Sequence, residues 1–218
     1  MKSLVKYMAV GAMAVACFSC ATDSKQVLVN SIENDLSFQQ VDSMGRAVLA
    51  KGLNAGSGYS QVWARDLNTF IETACEVVDT KDLRGAILVF FGLQQPNGEM
   101  IDGYVLKGEF DWDDPNQYFS DAAPEHVGFK NTVETDQETS LIQVVGKYIR
   151  KTGDVSILKE EVAGKSVYDR MKWMIDYLMH EKYDRKHGLL TGALTADWGD
   201  VQANDDELVD ITENSIIT

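Results

Sequence analysis

The chain has 218 residues, which is enough for one domain of ordinary size with a substantial hydrophobic core. Its formal net charge of -14 argues against a nucleic-acid partner, because phosphate binding requires a basic surface. Such acidity suits a protein that handles neutral ligands, although it also accompanies simple solubility.

The first twenty residues are predicted to be a targeting segment that lies outside the fold. Lys2 and Lys6 form a basic start, and residues 8–18 are an apolar run too short to span a bilayer as a helix. The run ends at Cys20, just before a polar stretch. This pattern resembles a bacterial lipoprotein signal, which implies acylation of Cys20. The protein would then be lipid-anchored in the bacterial cell envelope, at the outer membrane, either periplasmic or surface-exposed.

Two other cleavage sites remain open, because Cys17 stands where lipoprotein signals usually carry leucine. Cys17 itself is one alternative, and plain secretory cleavage after Ala16 is the other. We favour Cys20 because it lies at the boundary between apolar and polar sequence. Cys75 would then remain in the folded part, where we expect a buried small apolar side chain and no catalytic thiol.

The first strong helical pattern follows Asp66, which stands where an N-terminal cap or a partner of the helix dipole belongs. A break at residues 79–81 leads into residues 83–93, which are apolar nearly all round. We therefore expect an antiparallel hairpin whose second helix is buried on several sides. The apolar face of the first helix is predicted to consist of Leu67, Phe70, Ile71, Ala74, Val77 and Val78.

Residues 96–134 lack helical periodicity and begin with the turn sequence Pro96-Asn97-Gly98. A long irregular loop is usually functional or disordered, and its many aromatic residues argue against disorder. Two short strands are plausible around residues 100–106. Its acidic group does not complete a calcium-binding loop, because the positions that need Gly and Glu hold Asn116 and Ala122. We expect no metal there, although the group supplies Asp111, Asp113, Asp114 and Asn116.

Two more helices are predicted in the second half of the chain. One begins at Thr135-Asp136, with Glu138 placed to complete a capping box, and ends at residues 152–154. The next carries methionines at core spacing, which are typical of core packing and not of a cofactor site. Its apolar stripe is predicted to contain Val167, Met171, Met174, Ile175 and Leu178.

Two short clusters carry chemistry suited to sugar recognition. Residues 63–66 read Trp-Ala-Arg-Asp and combine an apolar ring, a fork of donors and a carboxylate, which together can hold a pyranose. Residues 197–200 read Asp-Trp-Gly-Asp and place two carboxylates around a tryptophan. The order of these clusters along the chain indicates a carbohydrate-processing cleft.

The chain resembles the N-terminal part of the six-hairpin glycosidases. The resemblance rests on four motifs, two of which contain these clusters: residues 59–66, 98–104, 133–136 and 195–200. That superfamily of (α/α)6 barrels includes glucoamylases, glycogen-debranching glucosidase domains and trehalases. The resemblance implies an all-α fold, a partial toroid of helical hairpins with a long aromatic and acidic loop and a short β-hairpin. With the signal at residues 1–20, the predicted organisation continues with a linker or helix at 21–44 and the N-terminal part of a catalytic domain at 45–218. Since a complete barrel needs well over ~300 residues, the chain would supply about half of one.

The resemblance implies an exo-acting, inverting glycoside hydrolase that cleaves glucosides or related oligosaccharides and needs no cofactor. Asp197 would be the general acid, with Asp200 as the alternative acid or its orienting partner, and the base would come from a later glutamate. The alternatives are a non-catalytic glycan-binding lipoprotein and an all-helical interaction module. Sugar contacts would come from Trp63, Arg65, Asp66, Asp102, Tyr104, Asp136 and Trp198.

Each of these residues also has a plainer interpretation. In that interpretation, Asp66 caps its helix and Arg65 pairs with it at the surface. Asp197 would then be an exposed loop carboxylate. Glu134 and Asp136 would be helix-start residues, and Asp102 and Tyr104 would belong to a turn.

Overall fold

The protein is described by a computed structural model over residues 24–54, 58–109, 117–130 and 135–191. The chain divides into two compact units, Met1–Val48 and Leu49–Thr218. The second unit is a helix-rich fold with a small antiparallel sheet. Among the described residues, no helix combines the length and apolarity needed to cross a bilayer.

The first unit contains two helices, α1 at residues 24–33 and α2 at Leu36–Leu49, whose last residue belongs to the second unit. Asp35 begins α2 by accepting a hydrogen bond from the Ser37 amide at 2.8 Å. Within α2, as described, no residue is buried. Packing within this unit therefore contributes little to its stability.

The second unit opens with the predicted helical hairpin, formed by α3 at Ala64–Val77 and α4 at Thr80–Gly92. The Asp79 side chain caps α4 by accepting from the Lys81 amide, which explains the short break between the helices. Because α3 begins at Ala64, Asp66 lies in its first turn, where its charge complements the helix dipole. The buried residues of the hairpin are Ala64, Leu67, Ile71, Ala74, Leu83, Ile87, Phe90, Phe91 and Gly92.

The remaining helices are α5 at Gln137–Thr152 and α6 at Val167–Tyr177. Gly153 ends α5 in a left-handed conformation with φ 75°, as the Thr-Gly-Asp sequence predicts. A 3-10 turn at Val155–Lys159 connects the two helices, and a π turn at Leu178–Lys182 follows α6. The predicted stripe of α6 is partly wrong, because Ile175 is exposed and Arg170 takes a buried position instead.

The predicted capping box at the start of α5 is wrong. The capping position is Asp136, and in the described chain no side-chain hydrogen bond caps this helix. Glu138 turns inward instead, where its Oε1 accepts a hydrogen bond from the Met100 amide at 2.8 Å. The carboxyl group therefore satisfies a donor of the loop that contains Met100.

A four-stranded antiparallel sheet replaces the predicted short hairpin, so an all-α description of this fold is too narrow. Its order is β1-β2-β4-β3, with β1 at Val62–Trp63 and β2 at Gly103–Leu106. The edge strand β3 lies at Gln117–Tyr118, and β4 at His126–Phe129 pairs with both β2 and β3. Pairing joins segments far apart in sequence, whereas the prediction placed both strands around residues 100–106. The smaller hairpins are β5 (Glu161–Val162) with β6 (Lys165–Ser166), and β7 (Tyr183–Asp184) with β8 (Leu189–Leu190).

Candidate functional site

Trp63 is the last residue of β1 and immediately precedes α3. It pairs with Gly103 of β2, and its ring lies directly over that glycine. A Cβ atom at position 103 would approach Trp63 Cε3 to 2.7 Å, so glycine is required for this close packing. The Phe129 ring lies 6.4 Å from the Trp63 ring, centroid to centroid. The sheet thus fixes the indole at the entrance to α3.

Arg65 lies in the first turn of α3 and pairs with Asp136, the residue that precedes α5. The distance from Arg65 Nη1 to Asp136 Oδ1 is 3.3 Å, across 71 positions of sequence. The arginine side chain is mostly buried, at 13% exposure, whereas that of Asp136 is 41% exposed. Because α3 and α5 both begin here, the pair lies where two helix N-termini meet. Such a place favours negatively charged and strongly polar groups.

Asp66 and Asp102 occupy different environments beside this pair. Asp66 is half-buried in the first turn of α3. Asp102 is buried just before β2, where its backbone links two elements. Its carbonyl accepts from the Ala64 amide at 2.8 Å, and its amide donates to the Phe129 carbonyl at 2.7 Å. Asp102 is predicted as a sugar contact, with a turn residue as the alternative, and its side chain is buried in the described structure.

The antiparallel register brings Lys130 close to Asp102. Gly103 pairs with Phe129, so the residues just outside this pair, Asp102 and Lys130, share one end of the sheet. Lys130 Nζ lies 3.6 Å from Asp102 Oδ1 and 3.8 Å from Glu99 Oε1. All three side chains are largely shielded from solvent, so their charges must be balanced locally.

Glu138 and Tyr177 complete this arrangement, which we call the buried polar cluster: Glu99, Asp102, Lys130, Glu138 and Tyr177. The Tyr177 hydroxyl donates to Glu99 Oε1 at 2.6 Å. Burial, and then the bond to Glu99, raises the pKa of Tyr177 well above its ordinary range. Burial also raises the pKa of Glu138, opposed by Lys130, which favours the neutral carboxylic acid.

Tyr104, which the resemblance predicts as a sugar contact, is part of the core in the described structure. Its side chain is buried, and its hydroxyl donates to the Ala86 carbonyl on α4 at 3.2 Å. The ring packs edge-on against Phe90, with centroids 4.9 Å apart. Burial raises the pKa of the phenol far above its usual value. Tyr104 therefore fastens β2 to α4 as part of the core.

Several predicted site residues lie outside the described residues. These are the proposed lipidation site Cys20, the proposed acids Asp197 and Asp200, and the proposed sugar contact Trp198. Glu134 and the acidic group at residues 111–116 lie outside as well. Cys75 is described and is half-buried. Burial raises the pKa of its thiol, which favours the unreactive protonated form.

Two open depressions on the surface lie away from the Arg65–Asp136 pair. One, of about 560 Å³, runs beside the start of α4 and the end of α5. The other, of about 610 Å³, lies between α4 and the β5–β6 hairpin. Neither is lined by Trp63, Arg65 or Asp136. In the first depression Arg84 pairs with both Asp154 and Glu160, at 3.1 and 2.8 Å, so its charge is balanced within the protein.

Sequence reasoning missed Lys130, Glu99 and Tyr177. One usable signal was the position of Glu99, three residues before Asp102 within the same motif. Lys130 carries no local signal, since its role depends on a strand register that joins distant segments.

The chemistry of the described site is that of polar binding by a guanidinium, carboxylates and an indole. Within the described ranges, no group of His, Cys, Asp and Glu side chains is arranged to hold a metal ion. Searches of protein-family models, curated proteins and solved structures gave no match to this chain.

Proposed function

We propose that this chain is the first part of an exo-acting, inverting glycoside hydrolase with the toroidal architecture of the six-hairpin glycosidases. The proposal is supported by the motifs that resemble that superfamily and by the arrangement of Trp63, Arg65 and Asp136. The substrate class is a glucoside or a related oligosaccharide. The lipoprotein-like signal adds an envelope location with a lipid anchor at Cys20.

The single observation that carries the proposal is the Arg65–Asp136 pair. Its two partners come from separate sugar-recognition motifs and lie 3.3 Å apart at the meeting of two helix N-termini. The Asp136 side chain is 41% exposed, so its carboxylate can accept a hydrogen bond from a sugar hydroxyl group. Charge-assisted hydrogen bonds of this kind are the stronger ones in sugar binding.

The proposed chemistry assigns the acid to Asp197, with Asp200 as its alternative or its orienting partner. Trp198 beside it would exclude water and favour the protonated acid. Inversion then requires a base on the opposite face of the sugar, roughly 6.5–9.5 Å from the acid. These roles follow from the resemblance, and a later glutamate is the proposed base.

The test is the release of monosaccharide by the full-length protein from maltose, isomaltose, trehalose and longer glucans. We expect Arg65→Ala to raise KM by about tenfold or more, because hydrogen bonds to charged groups are worth about 1.5–3 kcal/mol. Asp197→Asn should lower kcat by about 10²–10⁴-fold while sugar binding persists.

A matched control comes from the same two helices. Arg150 of α5 pairs with Glu72 of α3 at 3.7 Å in an exposed position. Arg150→Ala therefore removes an exposed ion pair between the same two helices without touching the candidate site, and we expect unchanged KM. Equal effects of Arg65→Ala and Arg150→Ala would contradict the proposal. Sugar binding without turnover in every substrate would instead favour the non-catalytic glycan-binding alternative.

A further inference from the structure

The four residues Glu99–Asp102 contact three helices and the sheet. Tyr177 of α6 donates to the Glu99 side chain, and Glu138 of α5 accepts from the Met100 amide. The Asp102 carbonyl accepts from Ala64, the first residue of α3. One short segment thus connects the starts of α3 and α5 with the middle of the core.

Charge balance in this segment depends on Lys130. Its ammonium group lies within 4 Å of carboxylate oxygens from both Glu99 and Asp102, and its side chain is only 5% exposed. Removing one partner from a buried ion pair leaves a charge that is costly to keep away from water. Without Lys130, the two carboxylates would repel each other and the segment would shift toward solvent.

Such a shift acts directly on the candidate site. Movement of Asp102 withdraws the carbonyl that holds the Ala64 amide, and Arg65 is the next residue along α3. Glu138, held through Met100, lies two positions after Asp136 on the other side of the pair. Both partners of the Arg65–Asp136 pair are therefore anchored to the same segment.

We propose that Lys130 is a positioning residue, which fixes the Arg65–Asp136 pair by holding the Glu99–Asp102 segment in the buried polar cluster. An effect of Lys130 on sugar binding rests on the proposed function. Its effect on the position of the Arg65–Asp136 pair does not. Lys130 touches no substrate in this assignment and acts through Asp102 and Glu99.

The test measures amide hydrogen exchange by NMR in the whole chain carrying Lys130→Met. We expect the amides of Ala64 and Asp102 to exchange about tenfold faster or more, because each donates to a partner that the cluster holds. The Gly153 amide, bonded to Ile149 at the far end of α5, should be unaffected. The Arg65 Nε–H resonance should shift in the same direction as in Asp136→Asn.

Two variants separate positioning from general damage to the fold. Lys130→Arg keeps the positive charge, so its Ala64 amide should be protected from exchange nearly as well as in the wild type and better than in Lys130→Met. Lys151→Met removes another lysine–glutamate pair, Lys151–Glu76 at 2.8 Å on the surface. It should change neither the exchange rate of the Ala64 amide nor the Arg65 Nε–H resonance. If Lys130→Met unfolds the chain, Asp102→Asn probes the same link while keeping the side-chain shape. Unchanged exchange at Ala64 in whichever of the two variants folds would overturn the inference.

Sugar turnover distinguishes this inference from the proposed function. If Arg65→Ala raises KM for a cleaved glucan, Lys130→Met should raise it too, with kcat less affected. If Arg65→Ala has no effect on KM, the proposed function fails, and the exchange and Arg65 resonance data still decide the role of Lys130. Faster exchange at Ala64 without any shift of the Arg65 resonance would also count against the positioning role.

Discussion

Glu138 shows how burial changes the chemistry of one carboxyl group. It is fully buried, and its Oε2 finds no hydrogen-bond partner in the described chain. Burial disfavours the ionised carboxylate and raises the pKa of Glu138, although the nearby Lys130 acts in the opposite direction. The sequence could not indicate this, since Glu138 sits at a typical helix-start position.

Glu138→Gln should alter the pH dependence of stability. The folded-state pKa lies above the ordinary value of 4.5, so the stabilisation is fully present below that pH. It is lost as pH rises through the raised pKa, because ionisation is easier in the unfolded chain. Stability of Glu138→Gln relative to wild type should therefore increase from about pH 4 to about pH 8 in urea unfolding. Glu161→Gln, at an exposed position, corrects for the removal of one negative charge. A difference that stays constant with pH would contradict this account.

Gly98 combines a required conformation with a tight contact. Its φ is 98°, and an added Cβ would lie 2.6 Å from the Trp173 carbonyl oxygen. Gly108 has a similar φ of 90° but nothing within 4 Å of an added Cβ. Gly108→Ala should therefore cost about 1–2 kcal/mol from backbone strain alone. Gly98→Ala should cost about 1–3 kcal/mol more, because backbone atoms must also move. Equal costs in denaturant unfolding would show that the Trp173 contact is unimportant.

Helices with a strong apolar stripe were predictable as elements, whereas the strands were not. The apolar stripe of α3 repeats at helical spacing over more than ten residues, and residues 83–93 of the next helix are apolar nearly all round, so local sequence carries the signal. The strands of the sheet are two to four residues long and pair with distant segments. A two-residue strand such as β1 has no period to detect, and its pairing depends on the surrounding tertiary structure.

The Ser166 side chain caps the start of α6. Ser166 accepts a hydrogen bond from the Asp169 amide at 3.1 Å and donates to the Asp169 carboxylate at 2.7 Å. Ser166→Ala leaves the amide without its partner and should lower the free energy of unfolding by about 1 kcal/mol. Ser166→Thr retains the hydroxyl group and should lose less. Thermal unfolding of both variants measures the difference, and an equal loss in both would argue against capping.

The two units of the chain differ in how they are stabilised. The hydrophobic core of the described residues runs from Ala64 to Met174, within the second unit. The helix α2 of the first unit buries no side chain. The net charge of -14 indicates that salt should stabilise the molecule as a whole, by screening repulsion among its acidic side chains.

Deletion of residues 1–48 should leave the second unit folded. The deletion removes no residue of the described core, so we expect the same cooperative thermal transition within a few degrees, since ~1 kcal/mol shifts a domain of this size by about 2–4 °C. The matched comparison is the complete chain in the same buffer. Loss of the cooperative transition would show that the first unit contributes to folding of the second.

The candidate site was predictable where its chemistry is local. Residues 63–66 and Asp136 drew attention through residue type and position, and the structure brings Arg65 and Asp136 together. The burial of Tyr104 could not be predicted, because an aromatic residue in an acidic loop has the same local pattern whether it faces solvent or the core. The buried polar cluster could not be foreseen, since Lys130, Glu138 and Tyr177 meet Glu99 only through tertiary packing.

The partners of the Glu99–Asp102 segment leave the ribosome at different times. Its partner at Ala64 emerges before it, whereas Glu138 and Tyr177 lie 38 and 78 positions from the residues they bind. Pairings so distant in sequence form late, because closing long loops is entropically costly. Until Tyr177 has left the exit tunnel, the Glu99 side chain of the nascent chain lacks its tyrosine partner. Binding of chaperones to the nascent chain should therefore decrease once Tyr177 has emerged.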